Sequence, residues 1–353
     1  MSKKLRIGIL GAGWAASSHA AAYSRLPNVT INALWNRTRV RADELAAQLN
    51  QPNLRVYERW QDMLEKADID VISVATSELL RKEPVTMALD RGLHVLVEKP
   101  FSVELEDAKA MVEAAKKADA VSAICLNWRY VPGTQVAWRG LQEGWIGRIL
   151  DIQLMWRFGM SPRAMYEKWP WIDEKTTILA ACGSHEFDKA RFLTGCEFVR
   201  LTGRVLPFSL SQEPDYTAHG TYSLIGELSE GVLGTFKSTL TTGQPDRYFV
   251  LNGEDGTLTV TDETVTRQRV GETEPTSIEI PSSEQIPAGV DLIQHAWNRL
   301  IADFITAIHN RDKEHTSVPH LATFVDGLRA QEVIGAAQRA EEEQRWVHLD
   351  ELR

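Results

Sequence analysis

No apolar run in this chain approaches the roughly 18 residues that a membrane span requires, so membrane residence is not expected. Cysteine is scarce. Cys125, Cys182 and Cys196 are the only three; they sit at no metal-ligand spacing, and three is an odd number for a disulfide framework in a chain of this length. They read as reduced, mostly buried thiols, and no metal site is expected. There is also no block of Lys and Arg. With a net charge of -9, the clustered cations that counterion release on nucleic acid demands are missing. A secretory signal is not expected either, because the basic start, Met1 to Lys4, leads into an apolar run that stops at glycines without a small-residue cleavage pattern. The expectation is a cytoplasmic protein that binds neither nucleic acid nor membrane.

What is present is the texture of a soluble globular chain, with 43% hydrophobic and 25% charged residues. At 353 residues, two domains are the natural expectation. Residues 5–10 (LRIGIL) form a short apolar run, followed by a glycine turn and an Ala-spaced helical stretch that stops at Pro27. Further apolar runs at 29–35, 70–75, 94–97 and 121–126 alternate with helical patterns. That alternation predicts a doubly wound parallel sheet, a Rossmann-type domain over residues 1–126. Its longest helix, over 103–118, takes Ser102 as N-cap, with Glu104, Glu106 and Asp107 in the first turn.

Beyond residue 147 the pattern changes to strands joined by Gly-rich turns, at 148–158, 216–228, 231–240, 248–252 and 256–260. Residues 127–353 are therefore expected to form a second domain that carries a largely antiparallel sheet. Helical periodicity returns at 291–309 and 321–342, in helices free to pack back on either domain.

The turn LGAGWAA places Gly11 at a tight turn, Gly13 where backbone must approach a pyrophosphate, and Ala16 where helix must pack closely on strand. The helix N-terminus then points free N–H groups at phosphate. Where an acidic residue would accept bonds from the ribose hydroxyls of NAD stands Asn36, followed by Arg37, Thr38 and Arg39. A neutral side chain with cationic neighbours suits a 2′-phosphate, so NADP is favoured and NAD stays open.

After the run at 94–97 comes Glu98-Lys99-Pro100-Phe101. Together with the glycine turn, His19, the segment HAAAY, Asn127 to Pro132, GSHEFD and the closing DGLRAQEVIGAAQRA, this tetrapeptide makes the chain resemble the glucose-fructose oxidoreductase / inositol dehydrogenase (Gfo/Idh/MocA) family. The resemblance implies an N-terminal Rossmann domain, a C-terminal α/β domain with an open, mostly antiparallel sheet, a carbohydrate or polyol substrate, NAD or NADP as cofactor, and a homodimer or homotetramer built on the open sheet. The cofactor contacts expected are Gly11, Gly13, Trp14, Ala15, Ala16, Asn36, Arg37, Thr76, Glu98, Lys99, Pro100 and Asn127.

The resemblance gives Lys99 the work of orienting the reacting hydroxyl, a role that an ammonium at the carboxyl end of a parallel strand can fill by stabilising alkoxide character. His185, expected to open a helix that stops at Gly195, is the proton acceptor. Asp188, three residues on, lies on the same face and shares the hydroxyl or tunes the His. Two departures stand out. Ala181 occupies the place of the family's usual Asp, four residues before the His, and Ser77, Glu78 and Arg81 replace its usual Pro, Asn and His. The segment 156–171 carries Trp156, Arg157, Arg163, Tyr166, Trp169 and Trp171, a mixture suited to a sugar ring with an anionic substituent or to packing. Expected substrate contacts are Lys99, Arg129, Tyr130, Arg157, Arg163, Trp169, His185 and Asp188. Three functions follow: a sugar or polyol dehydrogenase, a dinucleotide-dependent glycoside hydrolase working by transient oxidation and elimination, and a non-catalytic dinucleotide sensor.

Overall fold

The computed structural model describes residues 4–159, 178–210, 213–239, 243–311 and 318–353. They divide into two compact units, residues 1–130 with 288–328, and residues 131–287 with 329–353. The first unit thus takes in residues 127–130 and the later segment 288–328. No helix among the described residues is long and apolar enough to cross a membrane.

The first unit is built on a six-stranded parallel sheet of β1 (Leu5–Leu10), β2 (Val29–Trp35), β3 (Arg55–Val56), β4 (Val71–Val74), β5 (His94–Val97) and β6 (Ser122–Ile124), in the order β3-β2-β1-β4-β5-β6. The central strands are apolar on both faces because helices cover both. These are α1 (Trp14–Ser24), α2 (Arg39–Leu49), α3 (Trp60–Lys66), α4 (Lys82–Asp90) and α5 (Leu105–Lys117). The order reverses between β1 and β4, and such a switch point opens a crevice at the carboxyl ends of the strands. The glycine turn follows β1 and Thr76 follows β4, so both stand at that crevice.

The start of α5 differs from expectation. Its cap position is Glu104, not Ser102. The Ser102 hydroxyl donates to the Glu104 carbonyl at 2.7 Å, which spends it on the loop rather than on the helix N–H groups.

The second unit carries α6 (Pro132–Gln142), α7 (Ile178–Thr194) and a nine-stranded sheet. Its strands are β7 (Ile149–Arg157), β8 (Phe198–Leu210), β9 (Glu213–Leu228), β10 (Leu233–Thr239), β11 (Asp246–Gly253), β12 (Gly256–Val260), β13 (Val265–Arg269), β14 (Thr276–Ile278) and β15 (Val347–His348). Their order is β14-β13-β12-β11-β7-β10-β9-β8-β15, with β7 and β10 parallel and the other pairs antiparallel. One face is packed: Phe187 of α7 meets Phe198 and Phe236 edge-on at 5.7 and 5.5 Å. The remaining helices are α8 (Leu292–Asn310), capped by the Asp291 side chain on the N–H groups of Ile293 and Gln294, and α9 (Phe324–Glu343).

Candidate active site

At the glycine turn, Gly11 has φ +116°, and a Cβ there would come within 2.6 Å of the Ala75 carbonyl oxygen. Only glycine meets both conditions. Around Gly13, by contrast, a Cβ would meet nothing within 4 Å, so the backbone there is open to a ligand. Ala16 is fully buried, and Ala15 sits beside it in the first turn of α1. The Thr76 hydroxyl is buried with no hydrogen-bond partner among the described residues. An open glycine, a helix N-terminus and a waiting hydroxyl at one switch point fit a dinucleotide pyrophosphate.

Asn36 is tied to the glycine turn. Its side-chain carbonyl accepts from the Ala12 N–H at 3.1 Å and its NH2 donates to the Thr38 carbonyl at 2.9 Å. Arg39 is engaged elsewhere, with Asp43 at 2.8 Å and with Glu58, while Arg37 is exposed. Trp14, 68% exposed, packs edge-on against Trp297 of α8 with ring centroids 4.8 Å apart.

Lys99 is half-buried just beyond β5. The Glu98 side chain beside it is buried and fully engaged: one carboxylate oxygen accepts from Trp297 Nε1 at 3.1 Å and faces His19 Nε2 at 3.0 Å, while the other accepts from the Lys99 N–H at 3.0 Å. Burial pushes this carboxyl up, but the His19 hydrogen bond and the charges of His19, Lys99 and Arg81 outweigh it, and the group stays below its ordinary range. His19 Nδ1 meets the Ser73 hydroxyl at 2.8 Å. Ligand atoms of His19, Glu98 and Cys125 lie within 4.8 Å of one another, yet burial and the nearby Glu98 push the Cys125 thiol well up. His19 Nε2 also faces the Cys125 Sγ at 3.5 Å, so the three are knit as a hydrogen-bonded lock under the Lys99 turn. His19 and Tyr23 are both fully buried here.

Asn127, Arg129 and Tyr130 fall in the 3-10 turn Asn127–Tyr130 and are all buried. Arg129 pairs with Asp326 at 3.0 Å. The Tyr130 hydroxyl lies beside Asp303, and burial pushes it well above its ordinary range.

In the second unit His185 does not open a helix. It lies in the interior of α7, because the apolar residues Ile178, Leu179 and Ala180 begin the helix earlier. Gly183 is tolerated inside the helix where a Cβ would strike the Phe187 ring at 2.8 Å. Gly195 ends α7 as expected, at φ +71° with its N–H on the Arg191 carbonyl at 2.8 Å. Ala181, His185 and Asp188 share one helical face by spacing. Asp188 is buried with Arg191 3.8 Å away, and Arg191 also forks onto Glu197 at 2.8 and 2.6 Å. Arg157 pairs with Asp246. Arg163, Tyr166, Trp169 and Trp171 lie outside the described residues.

A buried ionisable cluster escaped the sequence reading. The register aligns Tyr222, Ser238, Trp156 and Arg247 as a row across β9, β10, β7 and β11, and Arg247 pairs with Asp262. Above the row, the Tyr222 hydroxyl donates to Glu186 of α7, whose other carboxylate oxygen has no partner among the described residues. Burial pushes Glu186 up to about 7 and Lys189 down to about 7. The signal for it in the sequence is the run of polar residues in HEFDKAR on a helix that must bury a face.

Two family models together match nearly the whole chain: an oxidoreductase-family NAD-binding Rossmann fold over residues 5–124 and an oxidoreductase-family C-terminal alpha/beta domain over residues 139–349. Among curated relatives, levoglucosan dehydrogenase of Pseudarthrobacter phenanthrenivorans is 27% identical over 218 residues, 55% of this chain and about half, 52%, of that protein. The NAD(+)-dependent scyllo-inositol 2-dehydrogenase of Bacillus subtilis is 26% identical over 69% of each chain. The 2,7-anhydro-N-acetylneuraminate hydratase of Escherichia coli is 25% identical over 76% of this chain and 70% of its own. Of solved structures, an Agrobacterium radiobacter oxidoreductase in complex with NAD+, L-tartaric acid and magnesium superposes with a TM-score of 0.86 at 19% identity, covering 99% of this chain and 100% of that one. Levoglucosan dehydrogenase in complex with NADH and levoglucosan gives 0.84 at 21% identity, over 98% and 99%. With both models matched in sequence and the whole chain following the same fold, this protein belongs to the Gfo/Idh/MocA oxidoreductase family.

Proposed function

We propose that this chain moves hydride between a nicotinamide dinucleotide and a secondary hydroxyl of a sugar or polyol. The observation that carries the reading is the Lys99 turn, anchored by a buried carboxylate at the same carboxyl edge of the parallel sheet as the open glycine turn. When bound, the dinucleotide supplies the hydride acceptor or donor. Lys99 orients the hydroxyl oxygen and stabilises its developing charge. His185 takes the hydroxyl proton, or returns it in reverse. The cradle itself is assigned to Gly11, Gly13, Trp14, Ala15, Ala16 and Thr76, with Glu98, Pro100 and Asn127 nearby.

NADP is the preferred form in this reading, supported by a neutral Asn36 and an exposed Arg37 at the ribose position. The substrate class is best read as neutral. The two described arginines that would bind an anionic substituent, Arg129 and Arg157, each already face a carboxylate. Self-association through the second sheet is supported by Ile225 and Leu233, 43% and 48% exposed on adjacent strands. A cytoplasmic setting is supported by three buried cysteines, none of them joined in a disulfide.

The test is a panel of sugars and polyols with both dinucleotides, read at the reduced-nicotinamide absorbance band. Net reduction with at least one sugar, abolished by Lys99→Ala with dinucleotide affinity within about threefold of wild type, is the expected result. A second reading, transient oxidation with no net redox change, is favoured by Ala181 in place of a carboxylate and by a relative named as a hydratase. It predicts aglycone release from aryl glycosides that needs NAD but leaves its total unchanged. Silence in both assays would leave only a dinucleotide sensor.

A further inference from the structure

The turn carrying Lys99 is held from two sides. On one side the Glu98 carboxylate takes the Lys99 N–H. On the other stands Arg81, 3% exposed, whose guanidinium faces the carbonyl oxygens of four residues. Its Nε and Nη2 donate to the Thr76 carbonyl at 3.1 and 2.8 Å. Nη1 donates to the carbonyls of Glu98 and Pro100, and Nη2 reaches that of Lys99 at 3.5 Å. Burial lowers the affinity of this guanidinium for its proton, opposed by the charges of Glu78 and Glu98. A cation in such a place is tolerable only because carbonyl dipoles surround it.

The acceptors belong to two strand ends. Thr76 follows β4 and carries the unpartnered hydroxyl beside the glycine turn; Glu98, Lys99 and Pro100 follow β5. One rigid fork of five N–H donors thus fixes the Lys99 turn relative to Thr76. Arg81 also stands where the resembled family usually has His, and an imidazole offers at most two N–H groups for these four acceptors.

We propose that Arg81 is a positioning residue for Lys99, setting the register of its turn against the dinucleotide cradle. This rests on the role given to Lys99 above. Displacement of a reacting group by about 1 Å costs on the order of 100-fold in rate, so the effect belongs in kcat rather than in binding.

The experiment uses the full-length chain and the variants R81Q, R81K and R81H, with reduced-dinucleotide affinity read by fluorescence titration and kcat and KM measured on the best sugar of the panel. R81Q should lower kcat by about 30-fold with KM and dinucleotide Kd within about threefold. R81K, which keeps the charge but loses the fork, should restore part of the loss, and R81H less than R81K. In parallel, hydrogen exchange in the peptide spanning residues 98–102 should quicken about tenfold in R81Q while β1 and α5 keep wild-type protection. An unchanged kcat, a Kd that worsens in step with kcat, or protection lost equally across β1 and α5 would overturn the proposal. If R81Q does not fold, R81K carries the test alone: kcat equal to wild type refutes it. If wild type turns over no sugar, the role of Lys99 fails, while the exchange comparison still decides whether Arg81 orders the turn.

Discussion

The side-chain carbonyl of Asn36 accepts the Ala12 N–H at 3.1 Å, which ties the end of β2 to the glycine turn after β1. Its NH2 is spent on the Thr38 carbonyl. Asn36, proposed above to stand at the ribose, is therefore fixed, neutral and followed by an exposed Arg37. Asn36→Asp keeps an acceptor for Ala12 but places a negative charge where a 2′-phosphate would sit. The Kd for NADPH should rise at least about tenfold, roughly 1.4 kcal/mol, with that for NADH within about threefold. Equal weakening of both dinucleotides, by fluorescence titration, would overturn the proposed preference for NADP.

The two glycines of the turn should separate folding from ligand binding. Gly11→Ala forces a side chain to φ +116° and to within 2.6 Å of the Ala75 oxygen, so it should destabilise the fold by about 1–3 kcal/mol or more. Gly13→Ala meets nothing within 4 Å and should leave urea unfolding of the ligand-free protein within about 0.5 kcal/mol. Its added methyl would meet the pyrophosphate, lowering dinucleotide affinity at least about tenfold. Dinucleotide affinity unchanged in Gly13→Ala would mean that phosphate does not approach there.

Much of this was legible in the sequence because local patterns and tertiary packing agree. The run LRIGIL before a glycine turn could only be a buried parallel strand, and β1 spans Leu5–Leu10. The strand β13 (Val265–Arg269) was not legible: TRQR lacks the apolar alternation that marks a half-buried strand, and its place comes from pairing with β12 and β14. Trp297 was equally hidden. It bonds Glu98 from a helix 199 positions further along the chain, and no local periodicity encodes such a contact. Arg81 read as a departure from a family pattern, while its meaning rests on four carbonyls that only the fold assembles.

Glu186 should leave a signature in stability against pH. Its carboxyl is pushed from an ordinary 4.5 up to about 7 by burial, against the Tyr222 hydrogen bond and the charges of Lys189 and Arg247. A folded-state value above the unfolded one means that the native protein holds the proton more tightly. That contribution is complete below about pH 4.5 and is lost as pH rises through about 7. Glu186→Gln removes the titration. Between pH 5 and 8, unfolding free energy of the wild type should fall relative to this variant by up to roughly 3 kcal/mol. Lys189, displaced downward to about 7, acts in the opposite sense and adds stability as pH rises from there toward 10.5. Parallel pH curves for wild type and Glu186→Gln would show that the carboxyl titrates normally.

Arg129 and Asp326 offer a cleaner measure of what a buried ion pair contributes to this fold. Arg129 is 5% exposed and pairs with Asp326 at 3.0 Å, and the second carboxylate oxygen of Asp326 accepts the Thr323 N–H and hydroxyl at 2.8 and 2.9 Å. Asp326→Ala strips the counter-charge from a desolvated guanidinium and uncaps Thr323 together, so it should cost about 3–5 kcal/mol in denaturant unfolding. Arg129→Met leaves behind a carboxylate that is 21% exposed and still bonded to Thr323, and should cost less. In the double variant no buried charge is stranded and only the lost cap and packing remain; its deficit should therefore be smaller than that of Asp326→Ala alone. A double variant whose loss equals the sum of the two singles would mean that the charges do not interact, and that Arg129 is held in place by its packing.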